Sequence, residues 1–170
     1  MPLAEDLLAH SEKLISSQPA SHVDCRRAVS AAYYAAFHLI SAAIARQVSP
    51  PEPIGLRGRS QRALEHSAMK SAMSRFLTPE SVGKLVEQIR VPCVFSQDIA
   101  MIAKTFGELQ DERHLADYDV VDFEGKVGLP WASNNLDKAK LVFTAWGRVQ
   151  SSDEARLFLA SIMFGNKWAK

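Results

Sequence analysis

The stretch that decides the fold runs from Arg27 to Val48 and reads RAVSAAYYAAFHLISAAIARQV. Ser21 stands ahead of it as a candidate N-cap, and Pro50 and Pro51 follow it as a stop signal. Small alanines on its other sides leave room for close neighbours. Its large apolar residues recur at spacings of three and four, which predicts one buried helical stripe formed by Val29, Tyr33, Ala36, Phe37, Ile40 and Ile44.

The rest of the chain repeats this helical spacing, and strand signals are nearly absent. Thr78 and Ser96 are candidate N-caps, and residues 119–132 have the composition of a loop. We therefore predict an all-α, antiparallel (up-and-down) bundle with one or two additional short helices, built by residues 1–170 as a single domain. The predicted helical segments besides the central one are residues 3–18, 64–76, 79–89, 97–118, 136–146 and 157–168.

Composition narrows the class of protein. Twenty basic and nineteen acidic residues leave a net charge of +1, which gives no overall preference for nucleic acid. Acidic residues near the N-terminus are atypical of a secretory leader, and the apolar run 31–45 is too short to span a bilayer. We expect a cytoplasmic protein with no membrane segment, in which Cys25 and Cys93 are reduced thiols.

An arginine interrupts the second clear stripe of the chain. Ile99, Ile102, Phe106 and Leu109 line one helix face, and the next position of that series is Arg113. Burying an unpaired charge is expensive, so this guanidinium needs a partner or water. Asp117 lies one turn later. The arrangement predicts either a structural ion pair or the floor of a binding site.

Two groups of polar residues are candidate sites. On the central helix, Arg27, Ser30, Tyr34, His38 and Ser41 share a face, which is suited to phosphate binding or acid–base chemistry. The alternative is that Tyr34 and His38 cover a groove between helices with their polar ends in water. Spacing alone favours that alternative.

The second group is the segment 113–119. Here Arg113 is a candidate phosphate or transition-state clamp, with Tyr118 or His114 as a polar helper. The alternative is a salt bridge from Arg113 to Asp117 at the end of a helix, with the Tyr118 ring packed beside it.

Metal and cofactor sites lack support in the sequence. The acidic residues that follow the second group do not have the spacing of a calcium loop, and a solvated acidic loop is the better interpretation. Glycine-rich phosphate loops, zinc motifs and nucleophile elbows are also missing. We predict no cofactor and no metal. The acidic residues concerned are Asp117, Asp119, Asp122 and Glu124.

Taken together, the segments 27–38, RAVSAAYYAAFH, and 113–119, RHLADYD, resemble the HEPN superfamily. The likeness is to its small bacterial and archaeal branch, which has a Tyr-Tyr-Ala-x-Phe-His helix and a later Arg-x-x-Ala-Asp-Tyr motif. The resemblance implies a helical bundle that forms a homodimer around a cleft. It also implies an RNA- or nucleotide-binding protein, with metal-independent endoribonuclease or toxin activity in a two-component, toxin–antitoxin-like system.

The resemblance assigns roles to particular residues. The motif arginine is Arg113 and the adjacent polar position is His114, whereas Tyr118 stands where the family nuclease has histidine. Tyrosine has an ordinary pKa near 10, so it is a poorer general base than histidine, and full nuclease activity is not expected. Binding roles fall to Tyr34, His38, Arg27 and Asp117. The alternative is a non-catalytic helical adaptor that binds a partner protein such as a nucleotidyltransferase.

Overall fold

The computed structural model describes residues 2–16, 19–48, 58–59, 64–119 and 127–164. Within these residues the chain is all-α, without strands, and the predicted helical bundle is confirmed. A short 3-10 turn, Ser74–Phe76, joins the third helix to the fourth. The α-helices with both ends in the described residues are α1 (Pro2–Ser16), α2 (His22–Val48), α3 (His66–Met73), α4 (Pro79–Ile89), α5 (Gln97–Tyr118), α6 (Leu129–Val149) and α7 (Asp153–Phe164).

The long helices α2 and α5 lie side by side and run in opposite directions. Ser30 near the start of α2 contacts Asp117 near the end of α5. Further along α2, the Tyr33 ring lies 5.5 Å from the ring of Phe106, which comes earlier in α5. Later positions of α2 therefore lie beside earlier positions of α5, as in any antiparallel pair of helices.

The helices α5 and α6 are antiparallel as well. Arg148 at the end of α6 donates two hydrogen bonds, of 2.8 and 2.6 Å, to the carboxylate of Asp98 at the start of α5. At the opposite end, Nε1 of Trp131 donates to Glu112 at 2.6 Å. With α1 packed on α2 and α6, these four long helices enclose the main core, and the shorter α3, α4 and α7 pack around them.

The predicted stripes form that core. The α2 stripe and the four apolar residues of the α5 stripe are buried. The segment His22–Gln47 has the length and the apolar composition of a membrane span, with a mean hydropathy of 1.5 in its apolar window. However, 78% of that window is buried inside the bundle, as is typical of a central core helix.

Local signals predict some helix starts and miss others. The Ser21 hydroxyl accepts from the backbone N–H of Asp24 at 3.1 Å, and Asp24 returns the contact at 2.9 Å, which confirms the cap. The Thr78 side chain accepts from the Ser81 N–H, confirming the second cap. Ser96 occupies the N-cap position of α5, but its hydroxyl makes no hydrogen bond, so the prediction of a side-chain cap is wrong.

The predicted loop 119–132 extends too far. Helix α6 begins at Leu129, because Gly128 takes an extended conformation and Pro130 fits the first turn, where its missing N–H removes no hydrogen bond. Several predictions fall on residues outside the described ranges, so they stay predictions. They concern Gln18, Pro50, Pro51, Asp122, Glu124 and Trp168.

Candidate functional site

The two sequence segments that carry the polar candidates lie against each other. The Ser30 hydroxyl donates a hydrogen bond to Oδ1 of Asp117, and Nη2 of Arg113 donates one of 2.9 Å to the Tyr34 hydroxyl. These contacts join residues 87 and 79 positions apart in the chain. Because α2 and α5 are antiparallel, both pairs form on one shared surface. We call Ser30, Tyr34, Arg113, Asp117 and Tyr118 the Arg113 cluster.

The guanidinium of Arg113 is held on two edges. Its Nε lies 2.6 Å from Oδ2 of Asp117, an ion pair whose N–H direction is not that of a hydrogen bond. Its Nη2 also donates to the Tyr118 hydroxyl at 3.3 Å. The expected pairing of Arg113 with Asp117 is confirmed. Among the described residues, Nη1 has no hydrogen-bond partner.

The rings of Tyr34 and Tyr118 also lie close to the guanidinium of Arg113. The Cζ atom of Arg113 lies 5.4 Å from the Tyr34 ring centroid and 5.1 Å from that of Tyr118, within cation–π range. Partial burial lowers the pKa of Arg113, but Tyr34, Asp117 and Tyr118 together outweigh it, so the net direction is upward. Arg113 therefore carries its full positive charge.

The exposed rim of the cluster lies at the end of α5. Tyr118 is 61% exposed, and its ring centroid lies 5.0 Å from that of His114, which is exposed too. No described residue forms a hydrogen bond with the His114 side chain. Leu115 beside it is also exposed. This rim offers two aromatic surfaces on which a base or a partner side chain can stack.

His38, predicted as a binding residue, lies further along α2. Its ring is half-buried, 6.5 Å from the Tyr34 ring centroid and 5.4 Å from that of Phe37. Burial lowers the pKa of His38, so its neutral form is favoured. No described residue forms a hydrogen bond with the His38 ring. Arg113 forms its hydrogen bond to α2 with the Tyr34 hydroxyl and not with His38.

Arg27 does not reach the cluster, but its neighbour reaches the same helix end. Arg27 is exposed. Its charge acts on Asp24 of the same helix, whose pKa is lowered mainly by hydrogen bonds from Ser21 and to a smaller extent by Arg27. Nη1 of Arg26 instead donates to backbone carbonyls at the C-terminus of α5, a favourable place for a cation. Its acceptors are Ala116 at 3.1 Å, Asp119 at 2.7 Å and Leu115 at 3.5 Å.

His66 is the residue that the sequence analysis missed. It begins α3, and its Nδ1 lies 2.6 Å from the hydroxyl of the fully buried Tyr33. Its ring centroid is 4.1 Å from that of Phe37 and 5.8 Å from that of Tyr34. No local pattern marks it, because its hydrogen-bond partner Tyr33 lies 33 positions away in the chain.

A second ion pair links α3 to α5. Nζ of Lys70, one turn after His66 on α3, pairs with Asp111 on α5. No group of three or more histidine, cysteine or acidic side chains with metal-binding proximity occurs in the part of the chain that the structure describes. Two apolar clefts, of about 230 and 730 Å³, are lined by other residues, on α2 with α7 and near the start of α5.

Comparisons of the chain with protein-family models, with curated proteins and with solved structures find no significant match. The chemistry of the site therefore rests on its residues. A fixed guanidinium, three hydroxyl groups and a neighbouring imidazole are suited to holding a phosphate. Asp117 neutralises part of that charge, and Tyr118 is a weak general base.

Proposed function

We propose that this chain is a HEPN-like protein that binds RNA or a nucleotide through a phosphate at the Arg113 cluster. The observation that carries the proposal is the meeting of segments 27–38 and 113–119, in which Arg113 bonds Tyr34 and Asp117 bonds Ser30. Nothing in either helix alone requires this pairing. It supports the family resemblance, because the two motif segments form one surface.

The charge arrangement favours a phosphate ligand. Asp117 and the tyrosines fix the orientation of the guanidinium, so little side-chain freedom is left to lose when an anion binds. The unpartnered Nη1 edge is the donor that remains for a phosphate oxygen. Exposed Tyr118 is placed to stack on a base, which adds affinity without sequence preference.

A binding assay tests the proposal. Fluorescence anisotropy measures the dissociation constant of a labelled single-stranded RNA of about 12 nucleotides, with EDTA present. We expect Arg113→Ala to weaken binding at least about tenfold, since a hydrogen bond to a charged group contributes roughly 1.5–3 kcal/mol. The matched control is Arg148→Ala, which removes another aspartate-paired arginine from the far end of α5 and α6.

Three results of this assay have distinct meanings. Selective loss in Arg113→Ala supports the proposal. Equal loss in both arginine variants would show a general charge effect and contradict it, and failure of the unmodified chain to bind either the RNA or inorganic phosphate would defeat it outright. Gel analysis of the same RNA detects metal-independent cleavage, and cleavage unchanged by Arg113→Ala would remove Arg113 from any nuclease mechanism.

We also propose that two copies associate, as in the dimeric cleft of the family it resembles. The exposed Leu115 and Tyr118 lie beside Arg113 at the end of α5, where a second copy would complete the surface around the cluster. Light scattering after size exclusion should give twice the chain mass of 18.8 kDa. A clean monomer at micromolar concentration would contradict a shared site.

The adaptor function is the second candidate, and the Arg113–Asp117 ion pair is the observation that favours it. A guanidinium neutralised within its own chain is a poor anion receptor, whereas the exposed rim at Leu115 and Tyr118 suits a protein partner. Co-expression with a nucleotidyltransferase-like protein tests it. A stable complex together with no RNA binding would establish the adaptor in place of the RNA-binding function.

A further inference from the structure

The His66 imidazole is fixed by residues outside the Arg113 cluster. Its Nδ1 lies 2.6 Å from the Tyr33 hydroxyl, and its ring packs 4.1 Å from the Phe37 centroid. Tyr33 is fully buried at the centre of the bundle. The ring of His66 is therefore anchored to the core on one side and only half-buried on the other.

The hydrogen bond to Tyr33 determines which nitrogen of His66 carries the proton. Burial raises the pKa of Tyr33, so its phenol keeps its proton. Among the described residues, the Tyr33 hydroxyl has no other hydrogen-bond partner than Nδ1 of His66. A buried hydroxyl that donates to nothing is unfavourable, so Tyr33 donates and Nδ1 accepts. The proton of the neutral imidazole then resides on Nε2.

The described groups that shift the pKa of His66 are positive or neutral. From α2 it faces Tyr33, Tyr34 and His38, and from α5 it feels the charge of Arg113. Burial lowers the pKa of His66, and Arg113 and His38 lower it further. On its own helix, the charge of Lys70 is paired with Asp111 of α5.

Tyr34 links His66 directly to the cluster. Its ring centroid lies 5.8 Å from that of His66, while its hydroxyl accepts the 2.9 Å hydrogen bond from Arg113. Among the described residues, neither Nε2 of His66 nor Nη1 of Arg113 has a hydrogen-bond partner. Both residues thus contact Tyr34, His66 through its ring and Arg113 through the phenol hydroxyl, and no carboxylate is among the groups that shift the pKa of His66.

We propose that His66 belongs to the Arg113 site and donates its Nε2–H to an oxygen of the phosphate that Arg113 binds. The inference rests on the proposed function and deepens it: the ligand is a phosphodiester or phosphate ester, and α3 contributes a contact that neither motif segment contains. His66 acts as a hydrogen-bond donor oriented by Tyr33. It supplies an imidazole to a site in which tyrosine occupies the family's histidine position.

Substitutions of His66 test the donor role in the RNA-binding assay. His66→Phe keeps a ring against Phe37 but removes both nitrogens, and we expect about five- to thirtyfold weaker binding. His66→Gln places an amide N–H near the position of Nε2 and should restore part of the loss. His10→Phe, an exposed histidine on α1, is the matched control and should bind as the unmodified chain does. Thermal melts of each variant verify folding.

Nitrogen NMR on the unmodified chain gives a second readout that needs no variant. Spectra of ¹⁵N-labelled histidine distinguish the Nε2–H tautomer from the Nδ1–H tautomer in the free protein. Adding the RNA, or inorganic phosphate in a separate arm, should shift the Nε2 signal of His66 and raise its pKa, because an anion stabilises the protonated ring. A response to phosphate alone assigns the contact to the phosphate group and not to a base.

The outcomes separate the two proposals. If the unmodified chain binds neither RNA nor phosphate, the proposed function fails and the His66 inference falls with it. If RNA binding requires Arg113 but His66→Phe binds like His10→Phe, only the His66 inference is overturned. It is also overturned if His66→Gln is as weak as His66→Phe, or if the His66 signals do not change at RNA saturation.

Discussion

Replacing Tyr33 by phenylalanine isolates one buried hydrogen bond at the centre of the structure. The hydroxyl of Tyr33 lies 2.6 Å from Nδ1 of His66, and the residue is fully buried between Phe37 and Phe106. Phenylalanine keeps the ring and loses only the hydroxyl. The change therefore removes the hydrogen bond and leaves the ring packing in place.

The expected magnitude follows from that single contact. A neutral hydrogen bond contributes about 0.5–1.5 kcal/mol net to folding, and the unpaired Nδ1 of half-buried His66 regains part of its solvation from water. We expect Tyr33→Phe to lower the free energy of unfolding by about 1 kcal/mol. For a chain of this length, that corresponds to a fall in Tm of about 2–4 °C.

Urea denaturation followed by circular dichroism measures the effect, with a double-mutant cycle of Tyr33→Phe and His66→Phe. The coupling energy between the two positions should be about 1 kcal/mol. Tyr118→Phe is the matched control, since that tyrosine is exposed and accepts only a 3.3 Å contact from Arg113. Its effect should stay within about 0.5 kcal/mol.

Additivity in this cycle would refute the reasoning. If the double variant loses the sum of the two single losses, Tyr33 and His66 do not interact energetically, whatever their separation. The orientation of the His66 ring and the location of its proton on Nε2 would then lose their physical basis. A Tyr33→Phe effect no larger than that of Tyr118→Phe would have the same meaning.

Three further perturbations test other parts of the structure. Lowering the pH from about 7.5 through 6.5 should reduce the free energy of unfolding, because burial lowers the pKa of His38 and His66 and the unfolded chain then binds more protons. Urea titrations across this range measure it, and an unchanged loss in a variant with glutamine at both positions would contradict the assignment. Arg26→Met should destabilise the chain by about 1–2 kcal/mol by leaving carbonyls of α5 open, whereas exposed Arg27→Met should change it by less than about 0.5 kcal/mol. Ser21→Ala should cost about 1 kcal/mol by removing the cap of α2, and a thermal melt unchanged by it would show that the cap contributes nothing.

Sequence reasoning succeeded where the cause is local. The stripes of α2 and α5 and the caps at Ser21 and Thr78 depend on residues within a few positions of each other, so spacing and residue type are sufficient. Ser96 makes no side-chain cap, and its backbone N–H donates instead to Glu154, 58 positions away, at 2.6 Å. No local pattern contains that partner.

In the candidate site, too, the local contacts were predictable from the sequence and the long-range contacts were not. The Arg113–Asp117 pair spans one helical turn and was predicted from the spacing. Arg27 was predicted as a binding residue because it shares a face with Ser30 and Tyr34. The structure instead has its neighbour Arg26 in contact with backbone carbonyls at the end of α5, and side-chain patterns give no sign of such acceptors. The periodicity of side chains carries no information about which backbone carbonyls accept hydrogen bonds.

The ion pair that weakens Arg113 as an anion receptor also fixes its geometry. A structural pair at a helix end needs only Asp117, but the guanidinium here also contacts two tyrosine hydroxyls and lies over both of their rings. Such surroundings hold one rotamer and leave the Nη1 edge for a ligand, so ordering costs little on binding. His66 supplies the second donor from a different helix. On this reasoning Asp117 lowers the affinity for a free anion while it increases selectivity for a phosphate that reaches both donors.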